Sequence, residues 1–165
     1  MKQIKLLSVL LGAVLLATSP LQALEVKEVI GGDVYRLDTG EEVRLAGVNT
    51  SAIRKAGVSE NDFAQEAIQY IAGLFSRAEI RVEEAEKIPG KDGRRLVYLY
   101  ITEIKKDLVE NSSIARSASE ETMVNLEIIR RGYGKKAWSY RGPYNESFKL
   151  AEKEAKSKKI GMWRP

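Results

Sequence analysis

Residues 26–48, VKEVIGGDVYRLDTGEEVRLAGV, decide the fold of this chain. The segments 26–30 and 34–37 are short and rich in residues that favour β-strands. Asp38-Thr39-Gly40 has the composition of a hairpin turn, and it leads into a third β-prone segment, residues 42–48. The stretch therefore predicts the three strands of an antiparallel meander.

Patterns further along the chain add two strands and three helices. Apolar residues recur at helical spacing in three places, and apolar and charged residues alternate in two others. These patterns predict helices over residues 60–75, 125–131 and 144 to about 161, and strands over residues 79–84 and 95–100. Asn125 is predicted to cap the second helix, and Gly132 to end it.

This order of elements belongs to the α+β class and is mainly β. We predict a five-stranded OB-fold barrel with about three helices, an architecture that buries a core without disulfides. A plain α+β sandwich is the alternative. Residues 102–122 have weak periodicity and many Ser, Glu and Lys residues, so we interpret them as a solvated, partly helical insertion.

The composition restricts the chemistry that the protein can perform. The chain has 165 residues, about the size of one domain, with no cysteine and no histidine. Disulfides, thiolate metal sites and cysteine nucleophiles are excluded, and so are the usual general base and the commonest transition-metal ligand. Catalysis would depend on carboxylates, arginines and oxygen ligands.

Residues 1–23 have the pattern of a secretory signal peptide. Lys2 and Lys5 precede the apolar run 6–17, and Ser19 to Ala23 resembles a cleavage site. A membrane anchor is the alternative, but the run is shorter than the roughly 20 residues that span a bilayer. We expect a single monomeric domain over residues 24–165, secreted or periplasmic, without stable membrane insertion.

Removal of that segment changes the charge balance. The whole chain carries a formal charge of +4, and the segment contains two lysines and no acidic residue. The remaining residues have 25 basic and 23 acidic side chains, a formal charge of +2. Net charge alone therefore does not identify a nucleic-acid-binding protein.

Four short motifs occur in a recognisable order along the chain. They are VIGGD (residues 29–33), VRLAGVNT (43–50), DGRRLVY (92–98) and the helical segment from Val124 to Gly132. Together they resemble the staphylococcal (micrococcal) nuclease family, also called the thermonucleases, over residues 26–163. The resemblance implies calcium-dependent hydrolysis of DNA or RNA phosphodiester bonds by one calcium ion, two arginines and a glutamate.

The resemblance also implies individual site residues. Asp33 matches a calcium-ligating aspartate, and Thr50 matches a residue that offers its backbone carbonyl to the ion. Arg44 and Arg94 match the catalytic arginines that donate paired hydrogen bonds to the phosphate. Without the resemblance, Arg44 would be interpreted as a surface residue or as an ion-pair partner of Asp33.

Two aromatic residues match the family's nucleotide pocket. Trp138 and Tyr140 can each stack on a base or sugar, which contributes about 1–3 kcal/mol per base. The alternative is that both rings pack the loop against the last helix, as large aromatic side chains commonly do.

Departures from the family pattern weaken the predicted site. Family members usually have Asp-Thr-Pro-Glu where residues 49–52 are Asn-Thr-Ser-Ala. Asn49 can still offer an amide oxygen to calcium, but it lacks the carboxylate charge. Ala52 cannot accept a proton from water, and Glu60 or Asp62 would have to replace the lost base. Asp92 stands where the family often has a tyrosine.

We therefore predict an exported nuclease-family domain whose hydrolytic activity is weakened or lost. The alternative is a non-catalytic OB-fold module that binds single-stranded nucleic acid, another phosphate-bearing ligand or a protein partner. A third hypothesis is a structural domain in which the insertion covers Arg44 and Arg94.

Overall fold

The computed structural model describes residues 24–51, 62–76, 78–85, 90–103 and 121–165. The strands in these ranges are β1 (Val26–Gly31), β2 (Val34–Leu37), β3 (Glu42–Leu45), β4 (Val48–Asn49), β5 (Ala78–Glu84), β6 (Arg95–Glu103), β7 (Glu121–Met123) and β8 (Lys135–Lys136). The helices are α1 (Asp62–Phe75), α2 (Val124–Arg130) and α3 (Asn145–Ser157), followed by a short 3-10 turn, Gly161–Trp163. The predicted signal peptide lies outside the described residues, and no helix inside them is long and apolar enough to cross a membrane.

A five-strand main sheet has the order β1-β2-β3-β6-β5. The first three strands pair antiparallel, as the meander prediction requires, whereas β3 runs parallel to β6. The two edges of the sheet meet in a single antiparallel bridge between Leu24 and Ile80. This mixed α+β architecture confirms the predicted fold class, although the ladder across the described strands does not close a continuous barrel.

The two ends of the predicted insertion form strands. Strand β6 continues to Glu103, and residues 121–123 form β7, which pairs antiparallel with β6. Both ends of the segment 102–122 thus belong to the sheet, and residues 104–120 lie outside the described part. The sequence also missed the pairing of β4 with β8, because two-residue strands are too short to show an alternating pattern.

The core lies between the sheet and the helices. Val43 and Leu45 of β3 are fully buried, whereas the intervening Arg44 is only half-buried, since successive side chains of a strand point to opposite faces. Helix α3 contributes the fully buried Phe148, and α1 contributes Ile71. Strand β3 therefore presents its apolar residues to the core and Arg44 to the other face.

Asn125 joins the sheet to α2. The sequence predicted it as the cap of this helix, but the prediction is wrong: the N-cap residue is Met123, and Asn125 is already helical. Its buried amide Nδ2 donates to the carbonyls of Ala46 and Val97, at 3.0 and 3.1 Å, and its Oδ1 accepts from the Leu99 N–H at 3.0 Å. One side chain thus connects α2, β6 and the end of β3.

The Asn125→Ala substitution is expected to lower the free energy of unfolding by about 2–5 kcal/mol. The Leu99 N–H and the Ala46 carbonyl would lose this partner in a site with no access to solvent. Asn145→Ala is the matched control, because among the described residues the Asn145 amide donates to the exposed Glu146 side chain, and the change should cost less than about 1 kcal/mol. Urea unfolding measures both values. Equal losses would contradict the central role of Asn125.

Candidate active site

Strand register brings two predicted arginines together. Arg44 on β3 is the partner of Leu96 on the parallel strand β6, so it lies beside the turn that precedes β6. Hydrogen bonds from Gly90 N to the Arg94 carbonyl and from Gly93 N to the Gly90 carbonyl, each 2.8 Å, close this turn. It carries Arg94 at its end, next to Arg44.

Both guanidinium groups converge on one carboxylate oxygen. Arg94 NH1 lies 2.8 Å from Asp92 Oδ2, and Arg44 NH1 lies 3.1 Å from the same atom. The Arg44 side chain is 26% exposed and the Arg94 side chain 31% exposed, so water reaches both. The two arginines are therefore arranged around a single position that holds a negative charge.

Arg94 is also held on its other edge. Its Nε and NH2 donate to Glu42 Oε2 at 2.9 and 2.8 Å, while Glu42 Oε1 accepts from Arg36 NH2 at 2.8 Å. Arg36 in turn contacts Glu28 on β1. Glu42 thereby links two arginines across neighbouring elements.

Arg44 also forms an ion pair with the buried Asp33. Arg44 Nε lies 3.6 Å from Asp33 Oδ2, an ion-pair distance that is too long for a hydrogen bond. This Nε is buried and has no hydrogen-bond partner among the described residues. The other carboxylate oxygen of Asp33 accepts from the buried Thr50 hydroxyl at 2.7 Å. The ion pair foreseen as the structural role of Arg44 is therefore present.

These contacts form a line of alternating charges, which we call the charge row. In order, its members are Glu28, Arg36, Glu42, Arg94, Asp92, Arg44 and Asp33. Four carboxylates and three guanidiniums give it a formal charge of −1. The arginines therefore do not create a cationic surface here, because their own carboxylates neutralise them.

The acids at the centre of the row are stabilised in their charged form. Hydrogen bonds from Arg36, and then from Arg94, hold the pKa of Glu42 below its ordinary value. Hydrogen bonding from Arg94 likewise lowers the pKa of Asp92, with a further contribution from the charge of Arg44. Both carboxylates remain ionised at neutral pH.

Asn49 lies on β4, next to β8. Its Oδ1 accepts a 2.9 Å hydrogen bond from the Ser51 N–H, as in an Asx turn, so the amide oxygen already has a local partner. Strand β4 pairs Asn49 with Lys135. The neighbouring Ala52, predicted to mark the missing base, lies outside the described residues, as does Glu60.

A family model of staphylococcal nuclease homologues matches residues 42–165. The chain belongs to this nuclease family. The match includes Arg44, Asn49, Thr50, Arg94 and both predicted pocket aromatics, whereas Asp33 precedes it. A comparison with curated proteins gave no match.

Nucleases of this family typically use calcium, but the described residues do not fit the ion by themselves. Calcium takes about 6–8 oxygen ligands, several of them carboxylates. Asp33 contributes the one carboxylate among the predicted ligands, and it is already bonded by Thr50 and paired with Arg44. No group of three acidic side chains converges within the described ranges.

The two aromatic residues of the predicted nuclease pocket have different environments. Tyr140 is buried: its hydroxyl bonds that of Tyr98 at 2.7 Å, and its ring stacks on Phe148 with centroids 5.3 Å apart. Trp138 is 86% exposed, and Ala137 before it donates to the Gly47 carbonyl. Tyr140 thus packs the core, the role that sequence reasoning gave as the alternative, and Trp138 alone offers an open ring.

Sequence reasoning missed Glu42 and the contacts that Asp92 makes. Glu42 faces Arg36 across the hairpin at Asp38-Thr39-Gly40. This cross-strand pair of opposite charges could have been predicted from the sequence. The contact of Asp92 with Arg44 was not readable, because it depends on the parallel pairing of β3 with β6.

We expect the charge row to make stability depend on acidic pH. The pKa values of Glu42 and Asp92 are lower in the folded chain, so their stabilisation is present above the unfolded values of about 4. It is lost as the pH falls through the lower folded values. Urea unfolding between about pH 2 and pH 7 should show that acid lowers the free energy of unfolding less for Glu42→Gln than for the unmodified chain. The same loss for both would contradict the assignment, and the exposed Glu25→Gln serves as the control.

Proposed function

We propose that this nuclease-family domain retains a phosphate-binding arginine pair but hydrolyses DNA or RNA phosphodiester bonds weakly or not at all. The observation that carries the proposal is the convergence of Arg44 and Arg94 on one anionic position. Its catalytic weakness rests on residues 49 and 52, which are Asn and Ala.

The arginine pair has the geometry of a receptor for phosphoryl oxygens. Guanidinium groups donate hydrogen bonds in a planar fork, and two forks aimed at one position stabilise negative charge that develops there. Arg44 and Arg94 each place one terminal nitrogen, NH1, near a shared oxygen, at 3.1 and 2.8 Å, the first as an ion pair and the second as a hydrogen bond. Their positions on a strand and a closed turn support binding without a large rearrangement.

The proposed site lacks a general base to activate water. Ala52 has no proton acceptor, and general-base assistance contributes about 10²–10⁴ to a rate. Asn49 supplies a neutral oxygen where the family usually has a carboxylate. We therefore expect weak calcium binding and slow hydrolysis.

A non-catalytic binding module is the second candidate function. It is favoured by Trp138, whose ring is 86% exposed and lies in the loop that follows β8. An exposed indole is costly in water and gives single-stranded nucleic acid a stacking surface of low sequence preference. Arg141 supports this loop, since its NH1 donates to the Trp138 and Tyr140 carbonyls at 2.7 and 2.9 Å.

We also propose that the domain acts outside the cytoplasm. The pattern of residues 1–23 supports export, with Leu24 as the first residue of the mature chain. N-terminal sequencing of the protein recovered from its native cells tests this proposal.

The double substitution Asn49→Asp/Ala52→Glu is expected to raise phosphodiester cleavage by about 10²-fold or more, because it restores a carboxylate and a base. Cleavage of single- and double-stranded DNA and RNA is measured for residues 24–165, with calcium or with a chelator. Asn49→Asp/Ala52→Gln is the matched control, since it has nearly the same size but no base. Adding Arg44→Ala to the active variant should remove the gain.

Two outcomes would count against the proposal. Robust calcium-dependent cleavage by the unmodified chain would show that its site is complete. If none of these variants binds or cleaves nucleic acid, nucleic acid is rejected as the ligand.

Trp138→Ala is expected to weaken binding of a short oligothymidylate by about fivefold or more, which corresponds to the loss of one stacked base. Fluorescence anisotropy of the labelled oligonucleotide measures the affinity. Leu150→Ala is the control, because Leu150 is also strongly exposed but lies on α3. Equal affinity of the Trp138 variant and the unmodified chain would reject the stacking role.

A further inference from the structure

We propose that Asp92 is an internal anion that occupies the position between Arg44 and Arg94 and weakens the binding of phosphate groups there. The inference rests on the proposed function, because it takes the arginine pair as the phosphate-binding element. It adds a residue that determines how well phosphate reaches the arginine pair.

Asp92 presents one oxygen to both arginines, as a phosphoryl oxygen would. The distances from Asp92 Oδ2 are 2.8 Å to Arg94 NH1 and 3.1 Å to Arg44 NH1. Nε and NH2 of Arg94 donate to Glu42, and Nε of Arg44 faces Asp33. An entering phosphate would therefore compete with Asp92 for the donors that point between the two arginines.

The turn holds the Asp92 carboxylate in this place. Its other oxygen, Oδ1, faces the Arg94 N–H at 3.4 Å, within the same turn. Gly93 has a φ of +78°, a backbone conformation that favours glycine. A Cβ at residue 90 would lie only 3.1 Å from Oδ1, so glycine there leaves room for the carboxylate. The Asp92 contact is thus built into the turn of residues 90–94 that precedes β6.

Electrostatics give the contact its effect on binding. A phosphate next to an ionised carboxylate meets like-charge repulsion, which weakens its binding. Rotating Asp92 away would instead break its contacts with both arginines. Either way a ligand binds more weakly than it would to the same pair without Asp92.

The test compares phosphate binding to the unmodified chain and to Asp92→Asn, with Asp92→Ser as a second variant that retains a turn-forming side chain. Isothermal titration calorimetry uses inorganic phosphate and a short oligothymidylate at low ionic strength. Both variants should bind phosphate at least about tenfold more tightly than the unmodified chain. Circular dichroism establishes that each variant is folded.

Glu41→Gln is the matched control. Glu41 accepts two 2.7 Å hydrogen bonds from Arg95, so this change also removes one carboxylate from an arginine and shifts the net charge equally. It does not open the position between Arg44 and Arg94. Equal gains in phosphate affinity for Asp92→Asn and Glu41→Gln would overturn the proposal. It would also be overturned if Asp92→Asn and Asp92→Ser were both folded and neither gained phosphate affinity. Asp92→Asn/Arg44→Gln should lose the gain.

This test and the hydrolysis test fail in different ways. If Asn49→Asp/Ala52→Glu cleaves DNA in an Arg44-dependent manner while Asp92→Asn gains no phosphate affinity, the proposed function stands and the role of Asp92 is rejected. If Asp92→Asn gains affinity but no variant cleaves, Asp92 is the internal anion and the inherited hydrolysis is rejected.

Discussion

The buried amide of Asn125 is the constraint on which the rest of this structure depends. Its three hydrogen bonds fasten α2 to β6 and to the residue that follows β3, at the place where these two strands run parallel. Buried polar groups must be paired, so this amide fits one arrangement of the three elements and penalises others. The register of β3 against β6 follows from that arrangement, together with the 2.9 Å bond from Ala46 N to the Val97 carbonyl.

The parallel register has a direct consequence for charge. It places Arg44 beside the turn that bears Arg94, and two guanidiniums at this distance would repel each other without anions between and around them. Asp92, Glu42 and Asp33 supply those anions. The carboxylates of the charge row therefore offset the repulsion between the two arginines. The contacts of the row extend over β1, β2, β3 and the turn before β6.

Local patterns were sufficient to predict the longer elements and the family, and insufficient to predict the short strands β4, β7 and β8 or the contacts between elements. The meander, the helices and the positions of Arg44 and Arg94 could be read from periodicity and motif order. The amide contacts of Asn125 could not, because a helix-capping pattern looks the same whether the side chain bonds its own helix or a strand far away in the sequence. Tyr140 illustrates the same limit: its core position depends on Phe148 and Tyr98, which lie on other elements.

The charge row also changes what the arginines imply about activity. Arg44 and Arg94 each contact two carboxylates of the chain itself, so removing either would leave partly buried acids without their partner. A sequence that had lost hydrolysis would still keep both for this structural reason. Their presence is thus weak grounds for inferring catalysis. The proposed loss of hydrolysis rests instead on the identities of residues 49 and 52, Asn and Ala, and neither of these positions belongs to the charge row.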